Sequence, residues 1–385
     1  MKVLHLITGL EYGGSQTMLT ELASFLKQHE VTSSVVSLTS HNTLAGRLEE
    51  NGIPVFFLNI PRGKLSLRGL FKLIAIIRQE KPDILQTWMY HADLAGGLAG
   101  RLSGVPVIWG IHHNLGSNHI FKLSTWIVVQ INRIMSGLLP SKIACCSQST
   151  YSSHIAMGFQ AKKMVLAPNG IDTNRFFPLP NAHSDLCVQL GIPKDTILIG
   201  HCGRFHPSKG HEIFIKAASI IKTMHPNVHF VMCGSDIDWK NRQLSVWLDQ
   251  AKLGERVHLL GLQSRLEGVL PGLDLLVSSS RDEALPLTIC EAMSCKIPCV
   301  VTDVGDQAQV VSNTGISVLP NSAEEIANGC IKLLKLTQIE RLHLGELARE
   351  RIKNNYSLHT AAETYMSIYN SVLEQHNRAI PYLKK

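Results

Sequence analysis

The stretch Arg281-Asp282-Glu283-Ala284-Leu285-Pro286-Leu287-Thr288-Ile289-Cys290-Glu291-Ala292-Met293 comes after an apolar run, Leu273–Ser278, that ends in small polar residues. The run reads as a buried strand, and the stretch itself as a strand-to-helix turn. Pro286 suits the first turn of a helix, where its missing N–H costs nothing. The free amides of Leu287 and Thr288 then point at an anion. Glu283 lies in the loop ahead. Glu291 lies five residues into the helix, roughly 7–8 Å along the axis at about 1.5 Å per residue. One carboxylate can address what precedes a diphosphate and the other what lies beyond it. That is the layout a sugar nucleotide needs, with sugar hydroxyls on Glu283 and ribose hydroxyls on Glu291. Taken singly, Glu283 reads equally well as a helix N-terminal charge, and Glu291 as a surface residue.

Upstream, Gly200-His201-Cys202-Gly203-Arg204-Phe205-His206-Pro207-Ser208-Lys209-Gly210-His211 shows another strand ending at a glycine turn. Two cations come next, five residues apart, before a helix. A planar Arg fork and a Lys point charge both suit a diphosphate. The Gly-Lys-Ser/Thr order of a Walker loop is absent. Alone, the loop is equally compatible with two solvated cations. Near the N-terminus, Gly9-Leu10-Glu11-Tyr12-Gly13-Gly14-Ser15 is a third such turn, with Ser15 the expected N-cap. It lacks the glycine register of a dinucleotide site.

These turns belong to a regular alternation of strands and helices. Val3–Thr8, Ser33–Leu38, Pro54–Leu58, Asp83–Thr87, Pro106–Ile111, Lys142–Ser147 and Met164–Ala167 are short, nearly continuous apolar runs. So are Ile197–Cys202, Val228–Cys233, Val257–Leu260, Leu273–Ser278, Cys299–Thr302 and Ile316–Leu319. Parallel strands covered on both faces have this pattern. The amphipathic segments between them predict two doubly wound α/β units facing each other across a cleft, with ligands at the C-terminal ends of both sheets. Thr173–Asp185, with Pro178 and Pro180 and no periodicity, reads as a linker. The expected domains are 1–176, 177–360 and a C-terminal helix, 361–385, crossing back to the first. After about Ala323 the pattern is helical.

The 385 residues carry 37 Lys and Arg against 30 Asp and Glu, and 45% are hydrophobic. That excludes disorder. The excess of +7 favours anionic small molecules or an acidic membrane surface over nucleic acid. No apolar run reaches the roughly 18–20 residues of a membrane span, and the N-terminus lacks a signal-peptide pattern. Nine cysteines without a C-x-x-C, mostly inside apolar runs, read as free thiols in a reducing compartment. The expected location is cytoplasmic, with peripheral attachment to the inner face of the cell membrane. No cofactor and no metal is expected. Asp236-Ile237-Asp238 reads as a loop, and His201, His206 and His211 are spaced by five, unlike ligands on one helix face.

Glu283-x7-Glu291, Gly203-Arg204 with Lys209-Gly210, Gly13-Gly14 and Pro168-Asn169-Gly170-Ile171-Asp172 occur together in this chain. In this the chain resembles family 4 of the retaining glycosyltransferases, of GT-B fold, over essentially its whole length. The resemblance implies that Arg204 and Lys209 neutralise the donor diphosphate, that Glu283 holds the sugar and Glu291 the ribose, and that Gly13, Gly14, Gly203, Gly234, Pro286, Leu287 and Thr288 also line the donor. It implies a His at the strand end Trp109-Gly110-Ile111-His112-His113-Asn114. His112 fits that place best, with His113 one step off, and neighbours on an extended chain point opposite ways. The family usually has Gly after the first Glu; here it is Ala284, which puts the choice of sugar in question.

The implied reaction moves a hexose-type residue from a nucleoside diphosphate sugar, UDP by default, to an acceptor hydroxyl of a glycan or lipid-linked glycan, with retention. The leaving phosphate would take the acceptor proton. A sugar-nucleotide 2-epimerase of the same architecture and a non-catalytic sugar-nucleotide-binding subunit are the alternatives. Two segments, Pro61–Lys72 and Asn118–Trp126, mix cations with exposed-type apolar residues. They read either as ordinary helices or as a surface for an anionic bilayer.

Overall fold

The computed structural model describes residues 1–40, 43–64, 66–115 and 122–383. By their internal contacts they form two compact units, Met1–Gly170 with Leu358–Lys385, and Ile171–Ser357. The division thus falls after Gly170 and the return after Ser357, against sequence boundaries of 176 and 360.

In the first unit the order is β1 Lys2–Ile7, α1 Gly14–Lys27, β2 Thr32–Ser37, α2 Ala45–Glu50, β3 Val55–Phe57, α3 Leu67–Glu80 and β4 Ile84–Trp88. It continues with α4 Tyr90–Ser103, β5 Val107–Ile111, α5 Leu123–Met135, β6 Lys142–Cys145, α6 Gln148–Met157 and β7 Met164–Leu166. The second unit begins with α7 Ala182–Leu190, β8 Ile197–Cys202, α8 His211–Met224, β9 Val228–Cys233, α9 Arg242–Gln250 and β10 Val257–Leu259. Then come β11 Leu275–Ser278, α10 Leu287–Ser294, β12 Cys299–Thr302, α11 Gln307–Val311, β13 Ile316–Val318, α12 Ala323–Leu334 and α13 Gln338–Asn355. The last helix, α14 Leu358–Leu383, returns to the first unit.

Every strand lies within a stretch, or one residue from it, that its apolar run marks out. The two sheets are parallel, ordered β3-β2-β1-β4-β5-β6-β7 and β10-β9-β8-β11-β12-β13. The chain builds outward from β1, then jumps back to lay β4 on its other side; β8 and β11 repeat the move. Such a reversal leaves a crevice beyond the C-terminal ends of the two central strands. In the first unit, α3, α4 and α5 share one core with one face of the sheet through residues such as Ile77, Leu94 and Val129. On the other face α1 packs with α14, through Leu22, Ala362, Tyr365 and Tyr369.

Two local expectations change. Gly13, with extended backbone, is the N-cap of α1, not Ser15. The buried Ser15 hydroxyl donates to Gln16 Oε1 at 3.0 Å instead of accepting from a helix amide. The segment that begins at Thr173 is also no free linker. Phe176 is buried in the core of the second unit. Arg349 on α13 donates to Thr173 O at 3.1 Å, to Phe176 O at 3.0 Å and to Ser294 O. A guanidinium with several donors can hold three carbonyls that have no ladder partner, which periodicity cannot reveal.

Candidate active site

At the reversal point of the second unit the loops after β8 and β11 meet. Lys209 Nζ is ion-paired with Glu283 Oε1, and Ser280 Oγ donates to that same oxygen at 2.8 Å. The Arg281 amide donates to Ser208 O at 2.7 Å and clips the two loops together. Gly210 makes this approach possible. Its φ is +64°, and a Cβ there would lie 2.0 Å from Ser279 O. Ser279 Oγ donates to Gly210 O at 2.9 Å, and His201 Nε2 lies 3.1 Å from Ser279 Oγ. Because the serine proton goes to the carbonyl, His201 Nε2 must be the protonated nitrogen of its ring. Burial holds His201 neutral, its pKa well below the ordinary value, with His211 the next cause. Gly234, at the end of β9, has φ +145°, and a Cβ would fall 2.1 Å from Gly203 O. Gly203 itself would meet only ordinary contacts with Lys209.

Arg204 is exposed and makes no ion pair among the described residues. A guanidinium without a counterion, in the same loop as Lys209, adds positive charge to the end of β8. Pro286 is the N-cap of α10 rather than a residue of its first turn. The helix therefore starts at Leu287, and the amides of Leu287 and Thr288 are among its unbonded first donors. A pocket runs past His201, Lys209, Ser280, Glu283, Pro286 and Thr288. Glu291 is the fifth residue of α10 and is buried, not on the surface. Its carboxylate is one reason why the Cys202 thiol is pushed well above its ordinary pKa, after the hydrogen bond from Cys233 and burial. Arg204, Lys209, Glu283, Glu291 and the start of α10 are all gathered at one end of one sheet.

The first unit holds the remaining candidates. Gly13 and Gly14, at the turn from β1 into α1, are exposed. Ser15 Oγ lies 3.3 Å from Met89 Sδ, so this turn sits beside the end of β4. His112, past the end of β5, is buried and stacks on Trp88 with centroids 4.9 Å apart. Burial, then His113, drops its pKa to about 3. Among the described residues neither ring nitrogen has a hydrogen-bond partner. A buried imidazole with two unused polar atoms is costly unless a ligand satisfies it. His113 is half-buried, and its ring lies 6.2 Å from that of Tyr90.

Sequence reading missed Ser280 and Gly305. The small polar end of β11 was the available signal for Ser280. Gly305 has φ +58°, and a Cβ there would fall 2.0 Å from Glu283 O; nothing in the sequence ties it to Glu283. The Asp-x-Asp pair is structural in part, since Asp238 Oδ1 accepts from the Lys240 amide at 2.8 Å. Among the described residues no group of three or more His, Cys, Asp or Glu could hold a metal.

Two doubly wound units with parallel sheets of seven and six strands are the architecture of the GT-B class of glycosyltransferases. The chain matches the family model "Glycosyltransferase Family 4" over residues 12–175 and "Glycosyl transferases group 1" over residues 185–351. These matches span most of its length, and the protein belongs to this glycosyltransferase family. It is 24% identical over 323 residues to a UDP-Gal:alpha-D-GlcNAc-diphosphoundecaprenol alpha-1,3-galactosyltransferase of Escherichia coli, covering 82% of each chain. It is 23% identical to an N,N'-diacetylbacillosaminyl-diphospho-undecaprenol alpha-1,3-N-acetylgalactosaminyltransferase of Campylobacter jejuni, covering 85% of this chain and 88% of that one. Among solved structures, Anabaena HepE in complex with UDP and glucose superposes with a TM-score of 0.85 at 21% identity, over 96% of this chain and 100% of that one.

Proposed function

We propose that the protein transfers a hexose-type sugar, with retention, from a nucleoside diphosphate sugar to a hydroxyl of a glycan or lipid-linked glycan in cell-surface polysaccharide synthesis. UDP is the favoured nucleotide. The observation that carries the reading is the Lys209–Glu283–Ser280 cluster ahead of the start of α10, with Arg204 exposed in the same loop after β8 as Lys209. A diphosphate there meets a guanidinium, an ammonium and the amides of Leu287 and Thr288. As the donor bond breaks, charge grows on the β-phosphate, and these fixed donors stabilise it. Lys209 exchanges its carboxylate partner for a phosphate oxygen. Glu283, still positioned by Ser280, is then free to accept from sugar hydroxyls. Glu291, set deeper, takes the ribose hydroxyls. His112 supplies its unused ring nitrogens to the donor sugar, with His113 beside it. At a pKa near 3 it does so as a neutral imidazole. The leaving phosphate takes the acceptor proton. A lipid-linked acceptor would bring the chain to the inner face of the membrane as a peripheral protein.

The test is nucleoside diphosphate release with and without acceptor. A transferase needs the acceptor, an epimerase converts donor without it, and a mere binder releases nothing. Arg204→Ala and Glu283→Ala should each lower turnover by ~10²-fold or more, as for loss of a charge-stabilising group. Wild-type turnover in both variants would remove the site from the reaction.

A further inference from the structure

We propose that the starts of α3 and α5 form a docking face for an anionic bilayer. Each helix already buries one stripe against the sheet, through Leu73, Ile74 and Ile77 on α3 and Val128 and Val129 on α5. Each then presents apolar side chains outward that core packing does not require. Leu67 is 77% and Phe71 69% exposed on α3; Leu123 is 74% and Ile127 50% exposed on α5. Both pairs are four residues apart and so share a helix face. The loop that leads into α3 meets the start of α5, since a Cβ at Gly63 would lie 3.7 Å from Ser124 Oγ. Lys64, Arg68, Lys72 and Lys122 are exposed around them. Arg62 is paired with Glu11 at 3.4 Å and is left out of the face. Leu65 and residues 118–121 of the two sequence segments lie outside the described residues.

The charge pattern chooses the occupant. Between residues 51 and 171 stand twelve Lys and Arg against three Asp and Glu, and from 94 to 171 there is no acid at all. The three acids are already engaged. Glu80 pairs with Lys2 at 3.0 Å, Asp83 accepts from the Lys2 amide at 2.7 Å, and Asp93 is fully buried. The rest of the chain carries 25 cations and 27 acids. The whole positive excess is therefore concentrated in this stretch of one unit. Apolar tips ringed by cations, with no carboxylate among them, match an interface of phosphate headgroups over acyl chains. A folded protein partner would call for few lysines on this face, since lysine is depleted at protein interfaces. Position supports the same conclusion. In a parallel αβ layer, helices start at the edge where the preceding strands end. The face thus lies on the edge of the first unit that carries His112 and the Gly13–Gly14 turn. Resting on the reading of a lipid-linked acceptor, this would bring the acceptor headgroup to that edge.

The experiment is co-sedimentation of the full chain with vesicles of phosphatidylcholine alone or of equimolar phosphatidylcholine and phosphatidylglycerol. Binding to the anionic vesicles only, weakened by salt, is expected. The double variant Arg68→Gln, Lys72→Gln should lower the partition coefficient about 25-fold, at about fivefold per cation near the surface. Leu67→Ser with Phe71→Ser should also lower it, and Leu102→Ser, exposed on α4, should not. UDP-induced thermal stabilisation should be the same in all of them. Equal binding to both vesicle types, no binding, or wild-type partition of either double variant overturns the docking face. Transfer to a soluble acceptor without vesicle binding would sink this inference alone, whereas vesicle binding without any transfer would sink the enzymatic reading instead.

Discussion

Gly305→Ala is the sharpest test of how Glu283 is held. The residue touches no ligand in the proposed site. Its φ is +58°, and a Cβ would land 2.0 Å from Glu283 O and 2.7 Å from its carbonyl carbon. Real Cβ atoms do not approach closer than about 3.0 Å, so one of the two segments must move by roughly 1 Å. Gly305 is followed by Asp306, whose amide donates to Ala284 O at 3.1 Å, so the two loops are tied and cannot part freely. The expected result is a Glu283 carboxylate displaced from Lys209 and Ser280. A misplacement of about 1 Å costs about 10²-fold in rate, or about 2.7 kcal/mol of transition-state stabilisation. The assay is kcat/KM for transfer, with Tm measured beside it. Gly191→Ala is the control. Gly191 also has positive φ, +68°, but open space where the Cβ would sit. It should suffer the left-handed strain, about 1–2 kcal/mol, and keep its activity. If Gly305→Ala keeps wild-type kcat/KM, or if both variants lose activity equally, Glu283 is not positioned in this way.

Two further outcomes concern stability. Burial raises the Asp93 pKa to about 7 from 3.8. Its folded-state pKa thus exceeds the unfolded one, so its contribution is complete below about pH 4 and is lost as pH rises through about 7. Asp93→Asn, neutral throughout, should remove that decline, worth roughly 4 kcal/mol between those limits; an unchanged stability–pH profile would contradict the assignment. Arg349→Met keeps the side-chain stem but frees three carbonyls, at about 1.5–3 kcal/mol for a charged hydrogen-bonding group. A fall in Tm of roughly 5 °C, with donor-induced stabilisation retained, is expected, and an unshifted Tm would mean that the Thr173–Phe176 segment is held by other contacts.

Much of the fold is legible from local chemistry. Runs such as Val300-Val301 or Ile197-Leu198-Ile199 are apolar on both faces, which only a covered parallel strand satisfies. The Glu283-x7-Glu291 spacing is likewise local, since a loop and the helix after it set the distance between them. Ser15 was misplaced because several residues at a glycine turn can cap a helix, and only the path of the backbone selects Gly13. The Thr173–Phe176 segment has no period of its own, and Arg349 holds it from far along the chain.

The amino-acid order alone determined that strands and helices alternate in two units, where each strand runs, and which residue types could grip a diphosphate, because all three depend on the periodicity and turn chemistry of neighbouring residues. Only the tertiary structure decided that β8 lies beside β11, so that Lys209 reaches Glu283, 74 residues away; that Gly305 abuts the Glu283 carbonyl; and that His112, not His113, is the deeply buried ring on Trp88. Strand order and close backbone approach are properties of the packed sheet and its loops, and no window of sequence contains both partners.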